Sequence, residues 1–466
     1  MVTSTHDRPI VLVSNRGPVT FDRQDDGTLS SRRGAGGLVS GIGPLVAGTD
    51  TTWLAAAITD GDREAAAGGV VEADGFRVAM LAIDPDTYRA AYDVVSNEVL
   101  WFVHHGLFDR VRVPAFDHTW AESWSAYREM NHRFAQKVAE VAEPDAVVLV
   151  QDYHLCLVAA RLAELRPDVD CVHFSHTPFA PPSWLGMLPE KTVLELLHGM
   201  AAHRACGFHA TRWATEFADS ARTLGGLSPQ TFVAPLASDP DDIRQAAASP
   251  ACAAALEDLE AVVGDRAVIG RVDRMELSKN HVRGFLAYDD LLARYPEHRE
   301  QVVFVAEAYP SRSGVPGYAD YRADVERTVA AINERWGTES WTPIVVDHED
   351  DFPRSVALLR RADVLLVNPI RDGLNLVASE GALVNERNAV LALSPEAGAW
   401  ERLRTGVLTV PPFDVAGTAE VLHRALIMPA GARADLAARL RALAEARTPR
   451  HWLADQLAAV TGADER

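Results

Sequence analysis

"DAVVLVQDYHLCLVAARLAELRPDVDCVHFSH", residues 145–176, decides the fold. Its two ends, "DAVVLVQD" and "DCVHFSH", are near-continuous apolar runs rich in β-branched residues, the mark of strands buried on both faces of a parallel sheet. Between them "HLCLVAARLAELRPD" sets Leu and Ala along one stripe of a helix, so the stretch predicts a strand–helix–strand unit. Working outward, "PIVLVSN" near the N-terminus reads as a further strand. Beyond "TFVAPLASDPDDIRQAA" the pattern restarts with "RAVIGRVD", a helix "HVRGFLAYDDLLARYPEHRE", and strands "QVVFVAEA", "TPIVVDH", "ADVLLVNP" and "NAVLALS". The expected fold class is α/β: two facing Rossmann-like, doubly wound domains with a cleft between them. The expected boundaries are 1–237 and 238–450, with a hinge near Leu236 to Pro240 and a C-terminal helix over 451–466 left to pack back on the first domain. "DRQDDGTLSSRRGAGG", residues 22–37, reads as a long polar loop.

Composition narrows the function. A chain of 466 residues, 48 % hydrophobic and 24 % charged, is too long for one core. Its 65 acidic against 45 basic residues give a net charge of −20, which disfavours nucleic acid and anionic membranes as partners. Any phosphate must then be gripped locally by Arg, Lys and backbone N–H groups. The four cysteines, Cys156, Cys171, Cys206 and Cys252, show no C-x-x-C spacing and suit neither a zinc site nor a disulfide framework. They read as small core residues in a reducing compartment. The N-terminus "MVTSTHDRPIVLVSNRG" carries only the apolar run "IVLV", without a basic flank, and no segment approaches a membrane span. The expected location is cytoplasmic.

In open parallel sheets ligands lie beyond the carboxyl ends of the strands, and the polar residues gather there. "VSNRG" (13–17), "VQDYH" (150–154), "FSHTPF" (174–179), "GRVDRMELSK" (270–279), "AEAYPSR" (306–312) and "NPIRDG" (368–373) each follow an expected strand. Arg274 and Lys279 are suited to neutralising a departing diphosphate. In "IRDGLNLVASEGALVNER", residues 370–387, a strand hands over to a helix whose first N–H groups and positive dipole end can face phosphate oxygens, with Gly373 allowing close approach. No carboxylate pair of the kind used in double displacement stands out, and no acidic cluster has divalent-metal spacing. "AMLAIDPDTYRAAY" has the look of a phosphatase nucleophile motif but reads better as a helix capped by Asp84 with Pro85 in its first turn.

"SNRGP", "GAGGLVSGIGPL", "YDVVSNEVLW", "QDYHL", "HTPFAPPSW", "GFHA", "DRMELSKN", "PSRSGVPGY" and "RDGLNLVASE" occur in this order from about Pro9 to about Leu457. Together they resemble the trehalose-6-phosphate synthase family, the retaining glycosyltransferases of family 20 with the GT-B fold. That resemblance implies transfer of glucose from a nucleoside diphosphate glucose to glucose 6-phosphate, giving trehalose 6-phosphate. It implies that the acceptor is held through Arg16, Tyr92, Trp101 and Asp152, on the side of the first domain, together with Arg312. The donor would meet Gly36, Gly37, Arg274, Lys279, Asp372, Gly373, Asn375, Leu376, Val377 and Glu380, with Asp372 on the glucose hydroxyls and Glu380 on the ribose. Asp152, His176, Arg274 and Lys279 are the implied catalytic set. The family's front-face displacement lets the donor phosphate take the acceptor proton, leaving the protein to position and stabilise charge.

No metal and no cofactor are implied, the sugar nucleotide being a co-substrate. The partners are small-molecule substrates, with no nucleic acid and no membrane; a homo-oligomer stays open. Some departures stand out. "WLAAA" puts Ala56 where the family commonly has "W-x-G-W", "DRMELSKN" replaces "D-R-x-D-Y-x-K-G", and "PLASDP" lacks a Gly usual before the acidic residue. "GALVNERNAVLALSP" resembles the branch containing pseudo-glycosyltransferases that join cyclitols and use a guanosine donor, which sets GDP-glucose ahead of UDP-glucose. Two other readings remain: a transferase acting on glycerol 3-phosphate or a cyclitol phosphate, and a non-catalytic sugar-phosphate sensor. The phosphatase domain fused to some relatives is not expected, the chain ending at Arg466.

Overall fold

The strands expected at either end of 145–176 pair in parallel, Val148 opposite Cys171 and Gln151 opposite Phe174. The computed structural model describes residues 8–24, 26–34, 37–311 and 316–461. The chain folds as two units, one formed by the chain up to Leu236 and again from Pro449, the other by Ala237–Thr448.

In the first unit the described strands are β1 (Ile10–Val13), β2 (Val19–Arg23), β3 (Leu29–Arg33), β4 (Thr52–Ala56), β5 (Val70–Ala73), β6 (Phe76–Leu81), β7 (Val147–Gln151), β8 (Asp170–Ser175), β9 (Cys206–Phe208) and β10 (Thr231–Val233). Eight form one sheet in the order β10-β9-β8-β7-β1-β4-β6-β5, parallel apart from β5. Because β1 lies between β4 and β7, the winding reverses there and opens a crevice at the carboxyl ends of β1 and β7. The central strands β1 and β7 are almost entirely apolar, as strands of a parallel sheet covered on both faces are, and β7 is buried at every residue. The crossover helix is shorter than the pattern suggests. A single 3₁₀ turn, Tyr153–Leu155, follows Asp152, and regular helix runs from Val158 to Leu165.

The stretch expected to be a loop over 22–37 is in part a hairpin, β2 pairing antiparallel with β3, Val19 opposite Arg33. Asp26 Oδ1 accepts from Thr28 N at 2.9 Å, and Gly27 takes φ +82° at the tip. The strand signal was hidden because "LSSRR" is largely solvent-facing and carries a single apolar residue. Asp84 does cap the helix Pro85–Arg89, accepting from Thr87 N at 2.9 Å, with Pro85 in the first turn. A π-helix over Ala90–Leu100 follows. The last helix, Pro449–Thr461, seats Trp452 against Phe174, ring centroids 5.1 Å apart, and so belongs to the core of this unit.

The second unit contains β11 (Ala267–Met275), β12 (Val302–Pro310), β13 (Ile344–Asp347), β14 (Val364–Val367), β15 (Val390–Leu393) and β16 (Leu408–Thr409). They form an all-parallel sheet in the order β13-β12-β11-β14-β15-β16. Here the winding reverses between β11 and β14, so the loops after these two strands flank the crevice. All four cysteines are buried and free. Among the described residues no helix is long and apolar enough to cross a membrane.

Candidate functional site

In the second unit a buried arginine builds the platform. Arg271 points from β11 into the sheet edge with its side chain wholly enclosed, donating to Asn368 Oδ1 at 2.7 Å, to Asp273 Oδ2 at 3.1 Å and to the Lys279 carbonyl. Asn280, in the left-handed region at φ +66°, donates to the carbonyls of Asn368 (3.0 Å) and Pro412 (2.7 Å). Ile370 N donates to Ser278 O at 2.9 Å. The loops after β11 and β14 are thereby fixed to each other.

On this platform Lys279 Nζ lies 2.6 Å from Asp372 Oδ2 and 3.7 Å from Asp273 Oδ1. Burial works against the ammonium, but Asp372, Asp273 and Glu276 more than offset it, and the lysine pKa is raised. Burial raises the carboxyl of Asp273 from its ordinary value, outweighing Arg271 and Lys279. Arg274 projects outward with half its side chain exposed, 3.1 Å from Glu276 Oε1. Asn375, at φ +79°, donates to Asp372 Oδ2 at 3.3 Å and accepts from Ala378 N at 3.3 Å. It thus caps the helix Val377–Val384 one residue ahead of Leu376, while Asp372, Gly373, Leu376 and Val377 line the turn into that helix. Glu380, in the first turn, accepts from Ser238 Oγ at 3.4 Å, and burial raises its carboxyl to about 7. The residues expected to meet the donor that are described in this unit therefore lie at the end of β11, on the loops after β11 and β14, and in the first turn of the helix Val377–Val384. Gly36 lies outside the described residues, and Gly37 opens the helix Gly37–Val46 in the first unit.

In the first unit Arg16 follows β1 and is exposed, while Asp152 follows β7 and His176 follows β8. Asp152 takes φ +71°, rare outside glycine, and its Oδ1 accepts from His176 N at 3.1 Å. This bond ties the ends of β7 and β8 together. Tyr92, on the π-helix, stacks between Tyr88 (5.3 Å) and His154 (5.4 Å). Asn15 Nδ2 donates to the Tyr88 hydroxyl at 3.0 Å, drawing the stack to the end of β1. Trp101, at the start of the helix Trp101–His105, is deeply buried. It is 2 % exposed, lies against His105 with ring centroids 4.2 Å apart, and its carbonyl accepts from His105 Nδ1 at 2.7 Å. An open indole face for a sugar ring is not what this packing provides, because the "VLWFV" run serves the core. Arg312 lies outside the described residues.

His176 is enclosed by groups that the sequence reading did not assign. Its Nε2 lies 3.0 Å from Gln151 Oε1 and its Nδ1 3.2 Å from His209 Nε2. Burial, then His209, holds its pKa well below the ordinary histidine value. Arg271, Asn280, Asn368, His209 and Gln456 were likewise unassigned. An arginine inside "VIGRVD" was the available signal, since a cation in a buried strand demands partners. Among the described residues, one group could hold a cation, Glu297 with His298 and His423, and it includes none of the assigned residues. A cavity of about 340 Å³ in the first unit, lined by Arg63, Met80, Arg133 and Lys137 among others, also contains none of them.

Residues 8–461 match the family model for glycosyltransferase family 20. The bifunctional trehalose-6-phosphate synthase/phosphatase of Thermoproteus tenax is 30 % identical over 444 residues, covering 90 % of this chain, which spans 59 % of that enzyme's length. An E. coli structure bound with UDP-2-fluoro glucose superposes with a TM-score of 0.84 at 27 % identity, covering 98 % of this chain and 99 % of that one. A UDP-forming α,α-trehalose-phosphate synthase from Burkholderia xenovorans in complex with glucose-6-phosphate gives 0.83 at 26 % identity, covering 97 % and 100 %. The paired Rossmann-like units are those of the GT-B fold class. With its two switch-point crevices and a family match running nearly end to end, the chain belongs to glycosyltransferase family 20.

Proposed function

We propose that this glycosyltransferase moves glucose from a nucleoside diphosphate glucose to glucose 6-phosphate with retention, forming trehalose 6-phosphate. The observation that carries the reading is the gathering of Arg274, Lys279, Asp372, Asn375 and Glu380 on two adjacent loops beside a helix start, a layout suited to a sugar nucleotide. Arg274 and Lys279 stabilise the diphosphate as its charge grows, and Gly36 and Gly37 allow its close approach. Asp372 accepts from the glucose hydroxyls; the backbone from Gly373 to Val377 faces the diphosphate; Glu380 takes the ribose. Arg16, Tyr92 and Arg312 hold the acceptor phosphate and ring, with Trp101 supporting the π-helix from behind. Asp152 orients the acceptor and His176 meets the donor sugar. Arg274 and Lys279 supply the charge that a metal supplies elsewhere, so the reaction needs no added cation.

The donor reading keeps two bases, guanine from the "GALVNERNAVLALSP" segment and uracil from the E. coli relative, which binds UDP-2-fluoro glucose. A nucleotide-release assay crossing UDP-, GDP- and ADP-glucose with glucose 6-phosphate, glycerol 3-phosphate and a cyclitol phosphate tests the proposal. Release that depends on glucose 6-phosphate supports it; release driven only by another acceptor, or none with any, overturns it.

A further inference from the structure

A line of polar groups crosses the first unit from the backbone of Leu236 to Gln456. Leu236 N lies 3.2 Å from His209 Nδ1, His209 Nε2 3.2 Å from His176 Nδ1, and His176 Nε2 3.0 Å from Gln151 Oε1. Gln151 Nε2 then donates to Gln456 Oε1 at 3.2 Å. A backbone amide can only donate, so His209 Nδ1 carries no proton. His209 is 3 % exposed and burial lowers its pKa to about 3, so the ring is neutral and its single proton sits on Nε2. That proton is directed at His176 Nδ1, which must accept. His176 is also kept neutral, so its own proton sits on Nε2 and faces the Gln151 carbonyl oxygen. The Leu236 N–H thus sets the proton positions of both rings, opposed at His209 by the Ala234 backbone, which favours a ring proton, and it belongs to the last residue before the chain enters the second unit.

We propose that His209 is a positioning residue that locks His176 as the Nε2–H tautomer, so that His176 carries at Nε2 an N–H, held by Gln151 Oε1 until a donor-sugar oxygen takes that place, and no basic nitrogen. The inference rests on the proposed contact between His176 and the donor sugar. A fixed N–H suits a reaction in which the leaving phosphate takes the acceptor proton, because a lone pair at Nε2 would compete for that proton or repel phosphate and ring oxygens. The reverse tautomer is disfavoured, since it would set two N–H groups against each other at Leu236 and His209.

The test is long-range ¹⁵N–¹H correlation on ¹⁵N-histidine-labelled full-length protein, with His176 assigned by loss of its signals in His176→Asn. Wild type should show His176 protonated at Nε2. His209→Gln should keep that tautomer, because the amide can accept from Leu236 N–H and donate to His176, and it should retain most of kcat. His209→Leu should move His176 towards Nδ1 protonation and lower kcat roughly tenfold or more, with KM for both substrates little changed. Nδ1 protonation in wild type, or a His209→Leu protein with the wild-type tautomer and wild-type kcat, overturns the proposal. The wild-type spectrum decides the tautomer even if the Leu variant does not fold. The tautomer shift without glucose transfer in wild type would uphold the positioning and sink the functional reading instead.

Discussion

Lys279 Nζ and Asp372 Oδ2 stand 2.6 Å apart and join the loop after β11 to the loop after β14. Arg271, Arg274 and Lys279 are matched by Asp273, Glu276 and Asp372, so three cations face three carboxylates and the crevice is nearly neutral in itself. On the proposed function, an incoming diphosphate gains the lysine and Arg274 by exchange for carboxylate partners. Asp372, freed from Lys279, can then turn to sugar hydroxyls.

Replacing Lys279 or Arg274 by Ala should lower turnover on the order of a hundredfold or more, since charge stabilisation of a leaving group is worth several kcal/mol. Steady-state kinetics check this. Near-normal turnover in both variants would remove them from the donor site.

Asp372→Ala should separate sugar from nucleotide. Loss of the hydroxyl acceptor should cut glucose transfer at least tenfold, while affinity for the nucleoside diphosphate alone should hold or tighten, because Lys279 loses a competing carboxylate. Titration calorimetry with the diphosphate, beside kinetics, reads both effects. A collapse of diphosphate affinity would mean that Asp372 serves mainly to build the loop.

Glu380 gives a pH dependence of known sign. Its carboxyl is raised from 4.5 to about 7 by burial, so between those values the folded protein keeps a proton that the unfolded chain has released. Stability from this group falls as pH rises through that window, and the cost is complete above about pH 7. Glu380→Gln should gain on wild type as pH goes from 5 to 8, read as a growing difference in melting temperature without ligand. An equal difference at both pH values would contradict the shift. Glu307, raised to about 7 by burial as well, supplies a separate term that this substitution leaves in place.

On the acceptor side, Arg16→Ala should raise the KM for glucose 6-phosphate at least tenfold and leave nucleotide affinity nearly unchanged, because Arg16 follows β1 in the first unit. Asp152→Asn should slow the reaction without trapping a hexose on the protein. Mass spectrometry of wild type and variant quenched during turnover checks this; a covalent adduct on any carboxylate would establish double displacement.

How far the sequence could be read follows from where each signal lies. β7 and β14 were legible because strands buried on both faces are nearly all apolar, and β8 and β11 because short apolar runs frame the polar residues they carry. The loop residues after them were legible because charge is rare at such positions. The hairpin over β2 and β3 was not, since "LSSRR" faces solvent and lacks alternation. How Trp101 packs was not legible, because an indole in an apolar run looks the same whether its face is open or covered by His105. Arg271 and His209 act through partners far along the chain, Asn368 and Leu236, and only the folded protein brings these together.

The most direct test of the central claim is NMR of the product formed from the preferred nucleoside diphosphate glucose and glucose 6-phosphate in the presence of chelator. A single non-reducing disaccharide phosphate, α-configured at both anomeric carbons and formed at an undiminished rate, is the predicted result. A β-linked or reducing product, or loss of the reaction on chelation, would contradict a retaining, metal-independent transfer to glucose 6-phosphate.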